Sequence, residues 1–196
     1  AGYTIFVAEV PSTLSEALFL DLMLERARSR EERIILLQHA IDSIASTFYT
    51  QVLFAEFELQ AHRLVEQDRP VTADVLNTLY ATLLRDYYGD VMDEEELSRV
   101  TWARIPHFFS TPYYVYQYAT CFASTAKIMQ GLRAPDAGSR SERVSQYLSL
   151  LRAGGSDYPM SLLAQAGVDL SQPDTVLAVA AELDTLVARL ETELGQ

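Results

Sequence analysis

Two acids stand inside a segment that is otherwise apolar. Glu9 and Glu16 lie seven residues apart in a run that includes Phe6, Val7, Val10, Leu14, Leu18, Phe19 and Leu20. Two turns of a helix bring such positions onto one face, with Ser12 between them. No basic residue lies within eight positions of Glu9 on either side. A carboxylate so placed either edges a solvated stripe or, if buried, needs a cation, a metal ion or several hydrogen bonds. A second group follows a hundred residues later: His107, then Tyr113, Tyr114, Tyr116 and Tyr118. Four phenols in six residues exceed what core filling needs, because each buried hydroxyl requires a partner. Facing a cleft, phenol O–H groups can donate to an oxyanion as it develops. An aromatic layer with its hydroxyls at the surface is the other reading, and residue types alone leave both open.

The remaining reactive residues suggest less. His39 and His62 lie 23 residues apart, without the i, i+4 spacing of a helical metal pair, and read as structural or surface histidines. Cys121 is the single cysteine and has no neighbouring base, so it reads as a small core residue. Gly154-Gly155 is a helix stop rather than a phosphate loop. A Ser-His-Asp triad could be assembled only by arbitrary choice.

Helices must position these groups. The stripe from Tyr3 to about Ala27 is helical, with Pro11 starting or kinking it. Ser29 and Glu32 form a capping box that opens a long helix to about Gln67. Residues 43–55 carry no charge, which predicts a stretch buried on every side and serving as the spine of the fold. Asp68-Arg69-Pro70 breaks the chain, and Thr72 caps a helix to about Tyr87. Gly89-Asp90 turns, and Asp93-Glu94-Glu95-Glu96 places negative charge on the first turn of a helix to about Arg104. Thr111-Pro112 predicts an N-cap with proline at N1 and a helix to Gln130. On that helix Tyr114 and Tyr118 would share one face, Tyr113 and Tyr116 another. The alternation of Tyr114, Tyr116 and Tyr118 with Val115, Gln117 and Ala119 also fits a strand, but the flanking signals favour helix. Helices are further predicted at residues 141–152, from Pro159 toward Gly167, and from Pro173 to Leu194. The fold class is all-α, as one helical unit over residues 1–196.

Bulk properties narrow the function. The chain has 196 residues, 49% of them hydrophobic, enough for a sizeable core. A net charge of −12, from 27 acids against 15 bases, argues against nucleic acid or an anionic membrane as partner. Residues 108–126 form an uncharged run long enough to span a bilayer, but its hydroxyls and Gln117 are too polar for hydrocarbon. That run is expected to be buried interior. One cysteine fits a reducing, cytoplasmic setting. Starting at Ala1 inside the apolar stripe, the chain reads as a fragment of a longer protein.

The two groups together resemble a known family. Phe6-Val7-Ala8-Glu9-Val10-Pro11-Ser12-Thr13-Leu14-Ser15-Glu16 resembles the segment that carries the third zinc ligand in the thimet oligopeptidase and oligoendopeptidase F family. Ile105-Pro106-His107-Phe108-Phe109-Ser110-Thr111-Pro112-Tyr113-Tyr114-Val115-Tyr116-Gln117-Tyr118 resembles the His/Tyr segment of the oligoendopeptidase F branch. Ala55-Glu56-Phe57-Glu58 and Arg152-Ala153-Gly154-Gly155-Ser156-Asp157-Tyr158-Pro159 are similar to that branch as well. The resemblance runs through nearly the whole chain in the same order. It implies a zinc peptidase that hydrolyses short peptides, with Glu9 as metal ligand. Glu16 and Ser12 are then expected to support that ligand from behind. The histidine that faces substrate would be His107. The phenols that polarise the scissile carbonyl would be Tyr114 and Tyr118, with Tyr116 as the alternative register.

The chain also departs from the family pattern. It contains no H-E-x-x-H, which would supply two zinc ligands and the general-base glutamate. The motif is expected upstream of Ala1, in the missing N-terminal part of the same protein. The isolated chain is therefore expected to be inactive and to bind zinc weakly or not at all. The rival class is a non-catalytic helical scaffold or peptide-binding module.

Overall fold

The computed structural model describes residues 4–91 and 98–195. Among them every regular element is helical and there is no strand. Pro11 has no amide proton to give to a preceding turn, so the first helical stripe breaks into α1 (Ile5–Ala8) and α2 (Val10–Arg26), with Pro11 in the opening turn of α2. The Ser29 hydroxyl accepts the Glu32 N–H at 3.1 Å and opens α3 (Arg30–Ile44). The Glu32 carboxylate reaches back to the Arg28 N–H, at 2.7 Å, one residue earlier than a standard capping box would place it. A π-helical turn, Ala45–Tyr49, links α3 to α4 (Thr50–Glu66). Thr72 caps α5 (Ala73–Tyr88), accepting from Val75 N–H at 3.3 Å. A single 3-10 turn at Gly89–Val91 and a seven-residue 3-10 segment at Ser98–Arg104 follow. The chain then forms α6 (His107–Ser110), α7 (Tyr116–Leu132), α8 (Ala137–Ala153), α9 (Pro159–Gln165) and α10 (Pro173–Leu194). None of the described helices is long and apolar enough to cross a membrane.

The chain divides into two compact units, one of Ala1–Phe48 with Gln117–Gln196 and the other of Tyr49–Tyr116. In the first, Val7, Val10 and Leu14 repeat at three- and four-residue spacing and are almost wholly buried. They pack with Cys121, Ile128 and Met129 of α7, Leu150 of α8, and Leu162 and Leu163 of α9. The Cys121 thiol donates to the Phe6 carbonyl at 3.1 Å, which fixes α7 against α1. The Thr13 and Thr125 hydroxyls meet at 2.6 Å and do the same for α2. Arg133, just past α7, chelates Asp21 of α2 through two 2.8 Å contacts and reaches Glu182 of α10 at 2.5 Å. Burial opposes the charge on Arg133, but its hydrogen bonds to the two carboxylates outweigh that and raise its pKa. Arg33 of α3 grips Glu193 of α10 at 2.6 and 3.1 Å, so α3 and α10 are tied near their ends.

The second unit is an aromatic core. Phe54 and Phe57 of α4 meet Tyr80 and Leu83 of α5 with Val115. The Phe57 ring stands edge-on to Tyr80 at 5.4 Å and lies 5.3 Å from Phe108. Trp102 closes one side and donates its indole N–H to Asn77 at 2.8 Å.

Five expectations are corrected. Thr111-Pro112 does not start α7. Thr111 instead ends α6, Tyr113 takes a left-handed φ of 58°, and the helix begins at Tyr116. A residue at positive φ cannot continue a right-handed helix, so Tyr114 lies outside α7 and shares no helical face with Tyr118. The uncharged stretch 43–55 is not buried all round, because Ala45 and Ser46, small enough to face water without cost, are exposed. Residues 108–126 are not all interior either; Phe109 is 64% exposed and burial sets in only from Val115 onward. Gly131 lies within α7, where a Cβ would stand 2.8 Å from Arg143 Cγ, so the glycine lets α8 approach. The helix start expected at residues 93–96 lies outside the described residues.

Two predictions follow from the packing. Burial pushes the Cys121 thiol up to about 11, so at about pH 8 a thiol-disulfide reagent should leave the native protein unmodified and react fully once it unfolds. Prompt native reaction would contradict the Phe6 contact. Burial pushes the Tyr80 phenol up to about 12, and burial with the hydrogen bond to Glu56 does the same for Tyr87. Both folded values lie above the unfolded one. Their stabilising contribution is therefore whole below about pH 10 and lost as pH rises toward about 12. Tyrosinate absorbance should show two late-titrating phenols in the native protein that join the ordinary range on unfolding.

Candidate functional site

Glu9 stands where the helix breaks. It is the N-cap of α2, with φ −86° and ψ −8°. Its carboxylate makes no capping bond to the helix amides; Oε2 instead accepts the Ser12 hydroxyl at 2.9 Å. The same hydroxyl lies 3.0 Å from the Glu9 carbonyl oxygen, and the Thr13 hydroxyl donates to that oxygen at 2.8 Å. The Glu9 side chain is thus half-buried, at the positive end of a 17-residue helix, and oriented by a neighbour one turn away. Of the two residues expected to support Glu9, Ser12 touches it. Glu16 is exposed and makes no hydrogen bond or ion pair among the described residues. It lines a largely apolar cavity of about 270 Å³ in the same unit, with His39, Met23, Leu36, Phe122 and Met129. Tyr118, half-buried, lies in the first turn of α7 in this unit, three residues before Cys121. The Glu9 carboxylate adds to the burial that raises the Cys121 thiol.

In the second unit, His107 opens α6 after Ile105-Pro106. Its ring stacks on that of Tyr114 with centroids 5.1 Å apart and planes at 19°. The pair is brought together by the turn between them. Pro106 accepts the Phe109 and Ser110 N–H groups, Thr111 donates to the His107 carbonyl, and Tyr113 reverses the chain at positive φ. The Tyr113 N–H is taken by Glu58 Oε1 at 2.8 Å, and its ring lies 4.7 Å from that of His62. Glu58 is only 5% exposed. Tyr116, 39% exposed, follows at the start of α7. Reading along the chain overlooked Glu58 as a partner of this turn. The available signal was an acid in register with the buried stripe of Phe54 and Phe57.

Among the described residues no group of three or more His, Cys, Asp or Glu side chains could hold an ion. Glu9 supplies one carboxylate. His39 is exposed on α3, while the His62 Nδ1 is buried without a hydrogen-bond partner beside Tyr113, and His107 is stacked on Tyr114. A catalytic zinc needs three protein ligands, and the described residues do not complete such a site.

Comparison with known proteins agrees with the resemblance read from the motifs. The sequence profile described as peptidase family M3 matches residues 1–182. Group B oligopeptidase PepB of Streptococcus agalactiae serotype III (strain NEM316) is 36% identical over 194 residues, which is 95% of this chain and 31% of that protein. Oligopeptidase PepF of Bacillus subtilis (strain 168) is 34% identical over 97% of this chain and 28% of its own length. The crystal structure of oligoendopeptidase-F from Enterococcus faecium superposes with a TM-score of 0.89 at 32% identity, covering 98% of this chain and 36% of that one. The chain thus spans about a third of the length of the relatives it matches, and its helical fold is that of the corresponding part of the Enterococcus faecium structure. It belongs to peptidase family M3.

Proposed function

We propose that this chain is the C-terminal portion of a zinc-dependent oligoendopeptidase that hydrolyses short peptides, and one helical portion of its larger catalytic domain. The observation that carries the reading is the Glu9 carboxylate, held by Ser12 at a helix break inside an apolar segment that otherwise has no use for an acid. Glu9 is assigned as the metal-ligand carboxylate. The other ligands and the general base come from the part of the protein that precedes this chain. Metal chemistry in such a peptidase activates water and polarises the carbonyl of the peptide bond.

The chain's own residues have roles that need no metal geometry. Ser12 restrains the Glu9 side chain by donating to Oε2, which removes rotamers a free glutamate would sample. Tyr114 and Tyr118, or Tyr116 in the alternative register, donate their phenol O–H to the oxygen of the scissile carbonyl as it gains charge. Each such donor contributes about 100- to 1,000-fold in comparable sites. His107, its ring stacked on that of Tyr114, faces the peptide and donates to the same oxygen. Glu16, two turns along α2, is assigned to support Glu9, with no hydrogen bond between them among the described residues. A net charge of −12 supports a peptide rather than a nucleic acid as partner. A reducing, cytoplasmic setting accords with one buried thiol.

Testing uses the full-length protein and a fluorogenic short peptide. Glu9→Gln should abolish hydrolysis and lower the zinc content of the purified enzyme. Tyr118→Phe, Tyr114→Phe and His107→Ala should each lower kcat by about 100-fold with KM little changed. The chain alone should neither hydrolyse peptide nor retain stoichiometric zinc. Near-wild-type turnover in both Glu9→Gln and Tyr118→Phe would refute the assignment and favour a non-catalytic peptide-binding module.

A further inference from the structure

We propose that Glu58 is a positioning residue for the His107–Tyr114 pair: by accepting the Tyr113 amide it holds the left-handed turn that brings the two rings together. The role rests on the peptidase reading above only for its catalytic consequence; the turn itself stands on geometry.

Three observations converge. Glu58 projects from α4 among Leu53, Phe54 and Phe57 and is 5% exposed. A carboxylate is not kept there for solubility, and its burial is tolerated only with hydrogen bonds in place. Its Oε1 accepts the Tyr113 N–H at 2.8 Å, across 55 residues of sequence. Amide-to-carboxylate bonds are among the stronger hydrogen bonds, and a buried one is costly to lose.

Second, Tyr113 needs such a bond. Its φ of 58° is left-handed, a conformation that glycine adopts freely and a bulky L-residue does not. The segment 110–115 contains no glycine, so the reversal is enforced from outside rather than permitted by its own residues. α4 enforces it twice in successive turns, because Glu58 takes the backbone N–H and His62, four residues on, lies against the Tyr113 ring at 4.7 Å.

Third, the reversal has a specific product. His107 and Tyr114 are seven residues apart, too far to stack along one short helix. Their rings nevertheless lie 5.1 Å apart and nearly parallel. On one side of the turn Phe108 of α6 packs against Phe54 and Phe57, and on the other Val115 is 1% exposed in the same core. Both flanks are fixed. The left-handed torsion at Tyr113 lies between them, and Glu58 is the acceptor on its amide. Without that acceptor Tyr113 relaxes to negative φ, and Tyr114, the next residue, moves off the imidazole.

In the full-length peptidase, Glu58→Leu should lower kcat about tenfold or more while leaving KM nearly unchanged, as expected for loss of one hydrogen bond to a charged group. Glu58→Gln keeps a carbonyl oxygen at the acceptor position and should stay within about threefold of wild type. In the Glu58→Leu background, Tyr113→Gly should recover most of the loss, because glycine holds positive φ without help. A merely structural glutamate predicts none of that recovery. Amide exchange gives a readout independent of activity: the Tyr113 N–H should be protected in wild type and in Glu58→Gln, and should exchange freely in Glu58→Leu. If Glu58→Leu does not fold, Tyr113→Pro removes the donor and forces negative φ at a half-exposed position, and must show the same fall in kcat. Wild-type kcat in Glu58→Leu or in Tyr113→Pro, or a loss in Glu58→Gln equal to that in Glu58→Leu, overturns the proposal. Should His107→Ala and Tyr114→Phe turn over normally, the catalytic reading fails, while the exchange measurement still decides whether Glu58 holds the turn.

Discussion

Proline cannot donate a hydrogen bond, and that constraint at Pro11 shapes the first unit. An uninterrupted helix through residues 5–26 would place Glu9 about a quarter of a turn from the buried Val10 and nearly half a turn from the buried Val7, with its backbone locked in the ladder. The break makes Glu9 an N-cap instead. Its carbonyl then accepts from Thr13 in the opening turn of α2, while its carboxylate is left to the Ser12 hydroxyl. Val7 and Val10 on either side stay buried and lock both helical pieces against α7, α8 and α9. The apolar stripe and the acid are therefore compatible because the stripe is kinked at the acid. The position is rigid because the residues flanking it belong to the core.

The second unit reaches the same end by a different route. There the chain is turned not by a missing donor but by an acceptor supplied from far away in sequence. Glu58 and the aromatic core hold α6, the Tyr113 turn and Val115 as one piece. Local rules read Thr111-Pro112 as the start of a helix, and locally that signal is sound. It loses to a bond between a buried carboxylate and the Tyr113 amide, whose energy exceeds what one capping interaction contributes.

This contrast explains what the sequence made legible. Boundaries decided by their own residues were readable: Ser29 opening α3, Thr72 opening α5, and Pro173 opening α10. Boundaries decided by tertiary partners were not, which accounts for the start of α7. The 3-10 geometry at Ser98–Arg104, in place of a regular helix, is of the same kind, with Trp102 tied to Asn77 of α5. For the candidate site, composition flagged Glu9 through its apolar surroundings, and the motifs pointed to the family. Periodicity misjudged which tyrosines share a face, since it presumed a helix that Tyr113 interrupts.

An acid in an apolar run is an ambiguous signal, and its hydrogen bonds resolve it. Glu9, Glu16, Glu56 and Glu58 are each settled differently. Glu16 faces water. Glu56 is engaged by the Tyr87 hydroxyl at 2.8 Å and the Gln60 amide at 2.9 Å, so its charge is absorbed by two side chains of its own unit. Glu58 is buried on a backbone amide and cannot leave it without exposing a strained turn. Glu9 alone among them combines partial burial with a single, rotatable hydroxyl partner on its own helix. A metal ligand must be pre-oriented yet keep lone pairs unspent. By that criterion the proposed ligand role suits Glu9, whereas the more deeply buried Glu58 is already committed to the Tyr113 amide.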